Sequence, residues 1–167
     1  NITITRAASA FTHTLSYKFG SATGTIVSKT GNTTVSWTPP LSLASQIPGA
    51  TSGTLTITCD TYSGSTKIGT STCAVTLSVP ASVVPTISAV AVSEGTSGLA
   101  SQFGCYVQNK STLSVAVTAA GAYGSTIRSC STTFQGKTYT GTSFTTSVPT
   151  ASGSLSLVTT VTDSRGR

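Results

Sequence analysis

The sequence predicts an all-β protein built from two tandem β-sandwich domains, and three observations carry that expectation. Apolar and polar residues alternate in short runs along the whole chain, the pattern of strands with one buried face. Serine and threonine supply 63 of the 167 residues, and hydroxyl-bearing, β-branched side chains suit the exposed face of a pleated sheet. Turn residues interrupt the runs at spacings of about 8–12 residues, the rhythm of a β-sandwich.

Taken in order, "NITITR" (1–6), "THTLSYKF" (12–19), "GTIVSK" (24–29) and "TTVSWT" (33–38) each alternate. "GTLTITCDTY" (53–62) and "TCAVTLSV" (72–79) follow. Turns at Gly20, Gly31–Asn32, Gly49 and Gly64 separate them. The one long connection, residues 39–53, contains "SLASQI", which suits a short helical turn. "VPASVVP" (79–85) then stops the series, because proline cannot donate to a ladder and stiffens the chain. A second series comprises residues 86–94, 112–119, 125–134, 137–140, 143–148 and 154–163. The expected domains are therefore 1–81 and 82–167. Each offers six strands, whereas an immunoglobulin-type sandwich uses about seven. The expectation is two immunoglobulin-like sandwiches, the first lacking its opening strand and the second its closing strand.

Composition excludes several classes. Charged residues make up 7% of the chain, against about 25% in a typical domain. Disorder normally combines high net charge with low hydrophobicity, and neither holds here. The net charge of +6 comes from nine Lys or Arg against Asp60, Glu94 and Asp163. The cations form no run and no aromatics interleave with them, so a nucleic-acid platform is not expected. Weak attraction to an anionic cell envelope fits the same charge. Apolar runs fall far short of the roughly 18 residues of a membrane helix. Triplets headed by Asn1, Asn32 and Asn109 match the glycosylation pattern, which a Ser/Thr-rich composition generates by chance.

The cysteines pose the main chemical question. Counting inward from Cys59 and Cys73 pairs Tyr62 with Thr70 and leaves Ser65, Thr66 and Lys67 as a three-residue turn, a common hairpin length. That register sets the two cysteines opposite each other and aligns two apolar faces. A cross-strand disulfide and a pair of buried free thiols both fit, the former only if the Cα atoms approach within bridging distance. Cys105 and Cys130 form a second candidate pair without a register argument. No CxxC spacing exists and the sole histidine is His13, which disfavours a metal site. No cofactor is expected.

His13 lies in an alternating strand with no acid or cysteine beside it in sequence, and reads as a satisfied, partly buried histidine. A Ser–His–Asp triad would need it as base, but with 28 serines available that constellation carries no information. Glycosidase chemistry needs paired carboxylates, and the three acids are dispersed. No phosphate loop or dinucleotide fingerprint occurs. The chain is therefore read as non-enzymatic. Trp37 reads as a core plug or as a sugar-stacking platform. Tyr62 and Tyr123 fall near expected loop tips and are the better candidates for ligand contact than Tyr106 or Tyr139.

Long segments carry a resemblance. "ITITRAASAFTHTLSYKFGSATGTI" with "VSWTPPLSLASQIPGATSGTLTITCDTYSGSTKIGT" resembles a repeat of tail structural proteins of siphoviruses that infect Gram-positive bacteria. "YVQNKSTLSVAVTAAGAYGSTIRSCSTTFQGKTYTG" and "TVTDSRGR" resemble the next module of the same proteins. The resemblance implies immunoglobulin-like modules in an extracellular virion tail, at the tip or along fibres, near host-surface recognition. It implies other tail subunits or a host cell-wall glycan as partners, and a homo-oligomer in the particle. It transfers no catalytic or binding residue, and Cys105 and Cys130 are not positions of that repeat. The competing expectations are a secreted bacterial adhesin or filament subunit and a carbohydrate-binding module of a larger hydrolase. Flanking genes, a sorting anchor or a carboxylate-rich neighbouring domain would discriminate among them.

Overall fold

The computed structural model describes residues 1–95, 98–148 and 153–167. The alternating runs become antiparallel strands, and the chain divides into two compact units, Asn1–Ala81 and Ser82–Arg167. The protein is all-β, with several separate sheets.

In the first unit the strands are β1 (Ile2–Thr3), β2 (Phe11–Phe19), β3 (Ala22–Thr30), β4 (Thr34–Val35), β5 (Ser52–Ser63) and β6 (Thr66–Ser78). A four-stranded sheet runs β3-β2-β5-β6, and β1 and β4 form a separate two-stranded sheet. Alternation on β2 and β5 turns every second facing pair inward together: Phe19 with Leu55, Tyr17 with Ile57, Leu15 with Cys59. Phe19, Leu43 and Leu55 form the buried core, with Tyr17, Ala22, Trp37, Ile47, Ile57 and Leu77 packed against it. Leu43 comes from a 3-10 helix, Leu41–Gln46, which starts directly after Pro40. Proline suits that place because its fixed φ and missing N–H cost nothing at a helix start. The helix is tied to the sheet at the β2–β3 turn, where Gln46 Oε1 accepts from the backbone N–H (3.0 Å) and the hydroxyl (2.7 Å) of Ser21. Gly20 makes that turn at φ +59, a conformation that glycine adopts without steric cost.

In the second unit the strands are β7 (Thr86–Glu94), β8 (Thr112–Ala120), β9 (Ile127–Phe134), β10 (Lys137–Thr140), β11 (Ser143–Ser147) and β12 (Leu157–Asp163). They form two three-stranded sheets, β11-β8-β7 and β10-β9-β12. Leu113 of one sheet, Phe134 of the other and Val148 make the buried core, with Tyr139, Leu155 and Leu157 against it. A five-residue helix, α1 (Leu99–Phe103), has Gly98 and Gly104 at its ends, both in the left-handed region. Glu94 Oε2 accepts the Ala100 N–H at 2.7 Å, and Glu94 Oε1 accepts from the Ser111 hydroxyl at 2.9 Å. No helix was expected here, because five residues are too few to display a period.

Two other expectations need correction. The runs at 1–6 and 33–38 form only two-residue strands, β1 and β4. More consequentially, the β5–β6 hairpin adopts a different register. Its loop is Gly64–Ser65, with Ser63 opposite Thr66. Gly64 has φ +57 and Ser65 lies outside the left-handed region, the pattern of a type II′ turn with glycine at its first position. A bulge then leaves Ile68 without an opposite residue, since Tyr62 faces Lys67 while Thr61 faces Gly69. Together these shifts set Cys59 opposite Ser71, and Cys73 opposite Ile57.

Candidate functional site

None of the four cysteines is bridged in the structure, where the sequence left a disulfide and a pair of buried free thiols both open for Cys59 and Cys73. Cys59 and Cys73 share a sheet face but are diagonal neighbours. Such positions stand about 7–8 Å apart, beyond the usual Cα limit of about 7 Å for a disulfide. Cys105 is exposed in the segment after α1, whereas Cys130 is buried on β9 opposite Val161. Alkylation of the native chain is expected to label Cys73 and Cys105 first, Cys59 more slowly and Cys130 only on unfolding. Mass spectrometry after denaturation without reductant should count four labels; a count of two or none would restore the bridges.

Cys59 and Cys73 line a groove of about 290 Å³ with β1 residues, His13 and Leu15. His13 is 2% exposed. Its Nδ1 lies 3.1 Å from Thr61 Oγ1 and 3.7 Å from Cys59 Sγ. Among the described residues its Nε2 has no hydrogen-bond partner, so this histidine is buried more deeply and satisfied less fully than the sequence suggests. Burial pushes the Cys59 thiol up and the Asp60 charge adds to this, while the hydrogen bond with Thr61 opposes both. A thiol raised in this way is a poor nucleophile, since the thiolate is the reactive form. Among the described residues, no three His, Cys, Asp or Glu side chains come together to hold a metal. None of the helices described is long and apolar enough to cross a membrane.

The three ring candidates fall in different settings. Trp37 is half-buried, stacks on Tyr17 at 5.0 Å between centroids, and packs against the first unit's core. Tyr123 is 40% exposed in a turn at φ +48. Its carbonyl accepts from an Arg165 guanidinium nitrogen at 3.0 Å, and the Ala122 carbonyl from the other at 2.7 Å. Arg165 also sits 3.7 Å from Asp163, both side chains fully buried. Asp163 Oδ1 accepts the backbone N–H of Arg165 and of Arg167. Burial alone would push the Asp163 carboxyl up. The Arg167 N–H, the Ser125 side chain, the Arg165 N–H and the Arg165 charge outweigh burial and hold it below the usual carboxylate range. The "DSRGR" stretch is thus a structural clamp on the 122–123 turn.

Tyr62 is the candidate that the fold surrounds with charge. It lies near the end of β5, beside the hairpin tip. Lys29 Nζ stands 5.1 Å from the centre of its ring, within cation–π range. Lys67 faces Tyr62 across the ladder and pairs with Asp60 at 2.7 Å. The Thr70 hydroxyl donates to the same Asp60 oxygen at 2.7 Å. The hydrogen bond from Lys67 chiefly, then that from Thr70 and the Lys67 charge, hold Asp60 below the usual carboxylate range against the effect of burial. Arg6 donates to the Gly31 carbonyl at 2.6 Å, just past the end of β3. Sequence reading found Tyr62 but not these cations, because Lys29 reaches it only across β2.

The face around Tyr62 is a carpet of hydroxyls. Thr12, Thr14 and Ser16 on β2 stand opposite Tyr62, Asp60 and Thr58 on β5. Thr58 in turn stands opposite Thr72 on β6. These features define an all-β protein whose outward sheet face is hydroxyl-rich and whose surplus charge is cationic. The chain belongs to a siphovirus family: residues 1–167 match the family described as siphovirus protein of unknown function, DUF859. The resemblance read from the quoted stretches holds at the level of that family. No curated protein and no solved structure matches the chain.

Proposed function

We propose that the chain is a non-enzymatic structural and adhesive module of a siphovirus tail, at the tip or along a fibre, with each unit an immunoglobulin-like sandwich. The virion-associated family is one support. The observation that carries the reading is the pair of long, solvent-facing edge strands. All of β6 but Leu77 is exposed, and all of β7 but Glu94. Sheet edges in freely soluble proteins are usually guarded by charge, proline or bulges. On β6 the guards, Lys67 and the Ile68 bulge, stand at one end, and Gly69–Ser78 carries neither charge nor proline. An edge left open over that length suits pairing with neighbouring subunits, the strand-addition mode.

The partners proposed are other tail subunits and a host cell-wall glycan, in a homo-oligomer outside the cell. The purified chain should sediment with host cell walls, or form multimers by analytical ultracentrifugation, or both. A monomer that ignores the walls would overturn the adhesive reading and reduce the module to a spacer.

A further inference from the structure

We propose that the Tyr62 end of the first unit binds a linear anionic polymer of sugar or polyol units, with Lys29 and Arg6 as the anion contacts. The proposal rests on the adhesive reading above and gives its ligand a chemistry. It begins from charge accounting. All three side-chain carboxylates of the chain are engaged: Asp60 by Lys67 and Thr70, Asp163 by Arg165, and Glu94 by Ser111 and the Ala100 N–H. No acid is left for Lys29 or Arg6, and both stand at the same end of the sheet. β3 ends at Thr30, β5 ends at Ser63 and β6 begins at Thr66, so Lys29, Arg6 at Gly31, Tyr62 and Lys67 converge there.

Two irregularities produce that convergence. On β3, His13 faces Thr30 while Leu15 faces Val27, so Ser28 and Lys29 together oppose Thr14. Lys29 occupies this bulge at φ +44, a backbone state that a lysine rarely takes and that marks functional sites when it persists. The Thr14 hydroxyl holds it by accepting the Lys29 N–H at 3.1 Å. On β6, the two-residue turn sets Lys67 opposite Tyr62 and the Ile68 bulge beyond it sets Thr70 opposite Asp60, so that both engage the only acid of this unit. Bulges re-aim side chains, and these two aim one cation over the Tyr62 ring and one hydroxyl at the nearest negative charge. Tyr62 is then a positioning residue for Lys29. Arg6 spends one guanidinium N–H on Gly31 and offers the rest of its planar fork, which matches phosphate and carboxylate oxygens.

The neighbours specify the rest of the ligand. Thr12 and Thr14 flank the cations with hydroxyls that donate and accept, as the hydroxyls of a sugar or polyol require. The surface is open, so it suits a chain laid across it, with repeated weak contacts adding up along the polymer.

The test uses the purified chain and its K29Q/R6Q, Y62L and K18Q variants. Lys18 lies at the opposite end of β2 and serves as the charge control. Probes are host cell walls, the same walls stripped of phosphate polymers, and immobilised poly(glycerol phosphate), polygalacturonate and dextran. Retention is expected on an anionic probe but not on dextran, and it should fall as salt is raised. K29Q/R6Q should weaken it about tenfold or more, Y62L should weaken it less, and K18Q should leave it unchanged. Which anionic probe is retained identifies phosphate or carboxylate as the recognised charge. Equal binding to intact and stripped walls, with polygalacturonate ignored, would overturn the proposal but not the adhesive reading. So would wall binding that K29Q/R6Q leaves intact in a variant with wild-type circular dichroism. No binding to any wall would overturn both.

Discussion

Replacing Asp163 by alanine is expected to destabilise the second unit by about 3–5 kcal/mol, because it strands the fully buried Arg165 guanidinium without its counter-charge. Hydrogen exchange at the amides of β9 and β12 should report the loss, and the 122–123 turn that Arg165 holds should exchange fastest. A loss below about 1 kcal/mol would mean that the pair is replaceable by its backbone hydrogen bonds. The same clamp sets an acid limit. The Asp163 carboxyl is depressed in the folded chain, so its contribution is fully present above the unfolded carboxylate value of about 3.9. It is lost as pH falls through the lower folded value. Stability of this unit should therefore hold across neutral pH and drop only below about pH 4. In the alanine variant that drop should shrink, and an unchanged acid profile would assign it to other groups.

Replacing Phe19 by alanine is expected to cost the first unit about 3–5 kcal/mol. Its ring is 2% exposed between Leu43 of the 3-10 helix and Leu55 of β5. It therefore joins the sheet to the connection that covers it, and removal opens a cavity that a short helix and a long hairpin cannot both close. Denaturant unfolding should show a lower midpoint at unchanged slope, with amides of β2 and β5 losing protection. A loss near 1 kcal/mol would place the core elsewhere in the unit.

Much of the strand pattern was legible because period-2 runs and their stops agree. The expected bounds of the runs at 86–94 and 137–140 coincide with β7 and β10, each flanked by glycine or proline: Pro85 and Gly95, Gly136 and Gly141. The runs at 1–6 and 33–38 were read too long, because in a Thr-rich chain alternation also arises where a strand finds no partner. Register was the real failure. A count inward from the cysteines assumes a three-residue turn at 65–67, whereas the two-residue turn at Gly64–Ser65 moves the position facing Cys59 back to 70 and the Ile68 bulge returns it by one, to Ser71. The two cysteines therefore stand on diagonal positions instead of opposite ones. The Tyr62 site failed in the same way. Its tyrosine was visible as a ring near a turn, but Lys29 depends on the order β3-β2-β5-β6 and on a bulge in β3.

The ladders of the first unit also differ in their resistance to pulling. β1 holds β4 through two facing residues, Ile2 and Thr3, whereas β5 and β6 face each other from Ser52↔Ser78 to Ser63↔Thr66. A load entering near β1 and leaving after β6 would meet a weak latch first and a long shear-loaded seam last. The latch can give way and return while Phe19, Leu43 and Leu55 stay packed. The unit would then lengthen by a short step under strain before its core is at risk, as a compliant joint does.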